Sequence, residues 1–289
     1  MFAIIDPARD HLIYDCMMVL APDAACLFTG DVPDVVRRTS PHLLGMPPNS
    51  AILAWWRAEG LGKAWGIAGE TAVPFGELLA HLRTLLRARL PNGELLLFRF
   101  WDPRVLRLYL SSCNPTALAD FMGPIERFFV EKTEHEPAST FVNPTPRVGA
   151  QSPFASELGV PGVPMTEATL AVFRPIGDRR MPQLLRETCE QHLKFWVQSL
   201  PAGEIDRRIG IAIRRARGYG LTSAHAIGIF LLRMVTAGPN FDRIPDMNAI
   251  LCDGGVDEEA KLDALGNRSL AMTWSQAPGY GMDWEDRQV

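Results

Sequence analysis

The 289-residue chain lacks most features that would make its chemistry easy to read. Its five cysteines (Cys16, Cys26, Cys113, Cys189 and Cys252) are odd in number and form no C-x-x-C pair. Reduced thiols in a cytoplasm are the simplest reading, with no disulfide framework. The six histidines, His11, His42, His81, His135, His192 and His225, are scattered, and none pairs with another at metal-ligand spacing. There is no G-x-S-x-G, Walker A, H-E-x-x-H or dinucleotide fingerprint. No metal or cofactor is therefore expected. No stretch reaches the roughly 18 uninterrupted apolar residues of a membrane span, and the most apolar segment, Ala226 to Val235, is short and carries Arg233. The N-terminus, MFAIIDPARD, has neither a basic region nor a long apolar one, so no signal peptide is expected. A net charge of -4 gives no global basic field, which disfavours general binding to nucleic acid or anionic membranes.

What is present is an ordinary globular composition, 47% hydrophobic and 21% charged. A chain of this length buries roughly three quarters of its unfolded surface and needs no staple. The most informative stretch, Leu95 to Leu106, reads LLLFRFWDPRVL. Its apolar run suggests a strand buried on both faces. Asp102 fits a helix N-cap and Pro103 the first helical position. The first 130 residues alternate short strands (Ala3 to Ile5, Ala25 to Phe28, Ala64 to Ala68, Ile125 to Val130) with helices (Asp6 to Val19, Ile52 to Glu59, Phe75 to Leu90, and those after Asp102 and Asn114). This alternation predicts an α/β N-terminal lobe over residues 1–132, with a mixed or parallel sheet flanked by helices. Residues 133–165 are rich in proline, glycine and small polar residues and read as a linker or surface loop. Residues 166–289 read as an all-helical C-terminal lobe with an irregular tail. In that lobe Leu221 to Thr236 is apolar nearly all round and reads as its buried helix, while Trp274 and Trp284 belong to a docked arm or a frayed tail.

Four groups of residues invite a chemical reading. Asp6 and Asp102 both follow apolar strands and precede proline. They are N-caps, or, if their strands are neighbours, a carboxylate pair for Mg²⁺ or acid–base hydrolysis. Arg99 interrupts the apolar run and needs an anion, either in an internal brace to Asp6 or Asp102 or as a site for a ligand or partner carboxylate. Arg207, Arg208, Arg214 and Arg215 recur at seven-residue spacing and, with Arg217, read as one helix face: solvated, or a docking surface for an acidic partner. Phosphate or nucleic-acid binding there lacks any accompanying motif. Adjacent Trp55 and Trp56 point about 100° apart on a helix, which places one of them near a surface or a seam between the lobes.

In order along the chain, AIIDPARD, CLFTG, LGKAWGI, HLRTLLRARLPNGELLLFRFWDPRVL and FMGPIERF resemble the effector adaptor, or chaperone, family of bacterial type VI secretion systems. Leu97 to Leu106 is the strongest match, and the resemblance extends over about residues 2–131. It implies a cytoplasmic protein that is not an enzyme. Its partners would be a secreted toxin effector and the VgrG spike or its PAAR tip, with no nucleic acid and no membrane. The family transfers no catalytic residues. Asp6, Arg99, Asp102 and Arg104 match its signature as structural residues.

Overall fold

The computed structural model describes residues 1–132, 138–147, 149, 153–154, 162–266 and 281–284. The chain forms two compact units, residues 1–174 and 175–289. Trp274 and about half of the 133–165 stretch lie outside the described residues.

The first unit is built on a six-stranded sheet whose spatial order is β2 (Ala25–Cys26), β3 (His42–Gly45), β1 (Phe2–Ile5), β4 (Gly66–Thr71), β7 (Ile125–Val130) and β8 (Ser139–Val142). Every residue of β1 is buried. Phe2 and Ile4 face one core with Leu43, Ile67 and Phe128, while Ala3 and Ile5 face another with Leu44 and Trp65. The second core is covered by α1 (Ile13–Leu20) and α3 (Ala51–Trp55). The first is covered by α4 (Phe75–Thr84), α5 (Pro103–Ser112) and α6 (Pro115–Met122). The short α2 (Asp34–Arg37) lies between β2 and β3 in the chain. A sheet flanked by helices was expected, but its strands are neither parallel nor mixed: every neighbouring pair in it is antiparallel. The connections explain this. β3 and β4 run the same way and are joined through α3, as in a parallel unit, but β1 lies between them. β3 likewise separates β1 from β2.

The apolar run at 95–101 is not the central strand. Only Leu95–Leu97 is extended, as β6, in a small sheet of order β6, β5 (Arg87–Arg89) and β9 (Val163–Pro164). Leu96 and Leu97 are exposed. The Phe98 N–H makes the last ladder bond, to Leu86 O at 2.8 Å, and the chain then curls, with Phe100 N donating to Phe98 O and Asp102 N to Arg99 O. The apolar side chains are nonetheless buried, because the curl points Phe98, Phe100 and Trp101 into an aromatic cluster. Phe98 meets Tyr109 at 5.1 Å, and Phe121 meets Tyr109 at 4.7 Å and Phe100 at 6.1 Å between ring centroids. The helix expected through Leu90 stops at Thr84 because Arg87–Arg89 pairs with β6 across the Pro91–Gly93 turn. α3 continues into a π-helical turn, Trp56–Gly60, which buries Trp56 and leaves Trp55 half-buried against Trp65.

The second unit is helical. α7 (Glu167–His192) runs through the boundary, its early residues Leu170 and Phe173 joining the first unit's core and its later ones, Met181, Leu185 and Cys189, the second's. After α8 (Lys194–Gln198), α9 (Glu204–Gly218) and α10 (Ala224–Thr236) pack through Ile205, Ile209, Ala212 and Ala216 against Ile227, Phe230 and Met234. α11 (Pro245–Cys252) and α12 (Glu258–Gly266) close the core with Met247, Leu251 and Leu265. α10 is not buried all round, since Leu232 is exposed. No helix among the described residues is long and apolar enough to cross a membrane.

His81 on α4 is buried under Gly123, whose φ of +52° brings its backbone against the imidazole; a Cβ at 123 would lie 2.4 Å from the ring. Nε2 lies 3.0 Å from the Phe121 carbonyl, so it carries the proton and donates. Burial lowers the His81 pKa to about 4, against the opposing Phe121 bond. The unfolded chain therefore binds this proton more readily. The stability linked to His81 is complete above the unfolded value near 6.5 and is lost as pH falls toward 4, by roughly 3 kcal/mol at most. His81→Gln should flatten the dependence of unfolding free energy on pH across this window in urea titrations. An unchanged slope would assign the effect to other groups.

Candidate functional site

Asp6 ends β1 and caps the 3₁₀ turn Pro7–Arg9, its Oδ1 accepting the Ala8 N–H at 3.2 Å. Its Oδ2 accepts from Arg99 Nη2 at 2.7 Å and from Trp101 Nε1 at 3.1 Å. Asp102 caps α5: Oδ1 accepts from Arg104 N at 3.0 Å and Arg104 Nε at 2.9 Å, and Oδ2 from Arg104 Nη2 at 2.5 Å. The carboxylates lie beneath and the guanidiniums above. The Asp6 and Asp102 side chains are 3% and 8% exposed, those of Arg99 and Arg104 46% and 51%. Arg99 is thus not a buried cation inside a strand. It sits in the curl after β6 and reaches over Asp6 from the solvent side. Burial opposes ionisation of Asp102, but the hydrogen bonds and charge of Arg104 outweigh it and hold the carboxyl below its usual range.

This geometry suits a brace better than a reactive pair. Each carboxylate is neutralised by an arginine, and every carboxylate oxygen already accepts an N–H. Among the described residues no three His, Cys, Asp or Glu side chains gather as metal ligands.

The arginines of α9 do not share one open face. Arg215 is 1% exposed and is ion-paired with buried Asp242, with a further bond to Pro239 O at 2.8 Å. Asp242 also accepts from Tyr219 Oη at 2.9 Å. The seven-residue spacing that aligns Arg208 with Arg215 brings both toward the core side of the helix, where Ile211, Ala212 and Ala216 are buried. Arg208 is half-buried, and Arg207 and Arg208 both grip Glu204, holding its carboxyl down to about 2. Arg217 pairs with Asp178. The tail completes this surface: Arg207 donates to Trp284 O at 3.1 Å, and the Trp284 ring lies 6.0 Å from Trp196 and 5.0 Å from the Arg208 guanidinium. Asn240 holds the same segment through Gly281 O and Asp283 O.

An apolar trough of about 360 Å³ opens between α7 and α10, lined by Leu184, Leu185, Cys189 and His192 on one side and His225, Gly228, Ile229 and Leu232 on the other. The sequence reading overlooked it. The exposed Leu184 and Leu232 were its available signal, one on each wall and both outside the core-facing stripe of their helix.

The contacts separate two kinds of aspartate and two kinds of arginine. Asp102→Ala should cost about 1 kcal/mol, the loss of a cap. Asp6→Ala should cost more, about 2–3 kcal/mol, because it leaves the buried Trp101 N–H unsatisfied and frees two chain segments. Equal losses in chemical denaturation would deny the brace. Arg215→Glu should prevent the second unit from folding by leaving a buried like-charge pair. The doubly reversed Arg214→Glu/Arg217→Glu chain, altered at exposed positions, should lose no more than about 1–2 kcal/mol in the same assay.

Residues 1–120 match the family model described as a domain of unknown function, DUF4123. No curated protein and no solved structure matches the chain.

Proposed function

We propose that this protein is an adaptor of a type VI secretion system. It binds a toxic effector in the cytoplasm of the producing cell and promotes its loading onto the VgrG spike, directly or through a PAAR tip. The observation that carries this reading is the family match over residues 1–120, which spans both Asp-Pro caps and the Leu97–Leu106 signature that resembles such adaptors. The domain has no assigned catalytic role, and the two carboxylates that would serve a metal- or phosphate-dependent hydrolase are capped and arginine-paired. The arginines of α9 are engaged within the chain, which also weakens a nucleic-acid reading. The apolar trough between α7 and α10 gives the helical unit an exposed surface of the kind that protein partners cover.

A pull-down from the native host with the tagged full-length chain as bait, read by mass spectrometry, tests the proposal. Enrichment of a VgrG-type spike protein together with one toxin is the expected result. A bait that enriches neither overturns the adaptor reading.

A further inference from the structure

We infer that the surface formed by Arg9, Arg99 and Arg104 docks an acidic segment of a protein partner. The inference rests on the adaptor reading only for the partner being an effector or spike component; the chemistry of the surface stands apart from it.

The two Asp-Pro caps are neighbours in space. Arg99, one turn before the second cap, reaches the carboxylate of the first at 2.7 Å. The charges of Asp6 and Arg104 act on each other, as do those of Arg9 and Asp102. Because both carboxylates are buried below, the side turned to solvent is guanidinium. A guanidinium has five N–H donors. Among the described residues Arg99 bonds only through Nη2, while Arg104 bonds through Nε and Nη2. Arg9 is exposed and, among the described residues, makes no hydrogen bond or ion pair through its side chain. Donors on all three residues therefore remain for an incoming group. Arg99 is also partly pre-organised, its guanidinium lying 6.0 Å from the centre of the buried Trp101 ring.

Two further acids lie near the arginines, and the charges of Glu131 and Arg9 act on each other. Asp10 accepts the Leu12 N–H and faces His11, and half-buried Glu131 accepts the Gly62 N–H at 2.8 Å. Arginine forks match carboxylates in a bidentate way that lysines do not. The patch holds three arginines on a chain of net charge -4. Charge is screened beyond about 8–10 Å in physiological salt. The patch therefore suits a short acidic stretch of polypeptide better than an extended phosphate backbone, which would meet the acidic remainder of the chain.

The test uses the full chain and a fluorescein-labelled hexaglutamate peptide, read by anisotropy at low and physiological salt. Wild type should bind, more weakly as salt rises. Arg9→Glu should weaken binding by about fivefold or more with an unchanged unfolding midpoint, since the Arg9 side chain makes no hydrogen bond or ion pair among the described residues. Arg214→Glu, in the helical unit, should leave binding unchanged. No binding by wild type, equal affinity in Arg9→Glu, or tighter binding of a single-stranded DNA oligonucleotide of equal charge would each overturn the inference. The host pull-down repeated with Arg9→Glu separates the two proposals. If wild type and variant capture a spike protein and toxin equally, the surface fails and the adaptor reading stands. If wild type captures neither, the adaptor reading fails and the titration alone decides the surface.

Discussion

The N-terminal unit depends on one carboxylate. Asp6 directly follows a strand that is covered on both faces, and its buried carboxylate needs hydrogen-bonding, positively charged partners. Trp101 is buried in the aromatic cluster and its indole N–H needs an acceptor. Each meets the other's requirement, and Arg99 closes the arrangement from the solvent side. This joins the end of β1 to the curl at 98–102 across more than ninety residues of chain. It also explains why the apolar run at 95–101 cannot stay extended. Phe98, Phe100 and Trp101 must all enter one cluster, whereas a strand would send alternate side chains to opposite faces.

What the sequence made legible was local chemistry. Asp6-Pro7, Asp102-Pro103 and Asn114-Pro115 read as caps because each mechanism involves neighbours two or three residues away, and all three side chains accept the expected backbone N–H. The helical character of the second half was visible for the same reason, through the stripe Ile205, Ile209, Ala212 and Ala216. What stayed hidden was set by distant partners. Strand direction depended on which strand was inserted between which. The end of α4 depended on β6 competing for residues 87–89, which lie between Leu86 and Leu90, a pair at helical spacing. Arg215 resembled its exposed neighbours because Asp242, the residue that permits its burial, lies 27 positions away. α12 escaped notice because its sequence is acidic and weakly periodic, with Lys261 and Leu265 its buried residues.

The arginines show how one residue type carries different structural meanings. Arg215 is a core residue, locked with Asp242, Tyr219 and the carbonyl of Pro239. Arg207 and Arg208 form a clasp that holds Glu204 and the Trp284 segment against Trp196. Arg99 and Arg104 hold buried acids with part of their donor set and turn the rest outward. Periodicity alone treats them alike. What separates them is whether the partner acid is buried and whether the guanidinium is.

The matched segment and the folding unit do not coincide. The family match ends at residue 120, within α6, yet β7 at Ile125–Val130 pairs with β4 and inserts Phe128 and Val130 into the core. β8 then pairs with β7, and β9 with β5. A chain stopped at the end of the match would leave β4 as an open edge, with Phe128 gone from beside Phe2 and Phe121 gone from beside Tyr109. The signature that points to a function therefore folds only with sequence outside itself, and residues 121–174 belong to the same physical object as the motif at 97–106. The second unit has its own core and its own buried ion pair. Its trough and its clasped tail segment are therefore built from residues other than those of the brace at Asp6.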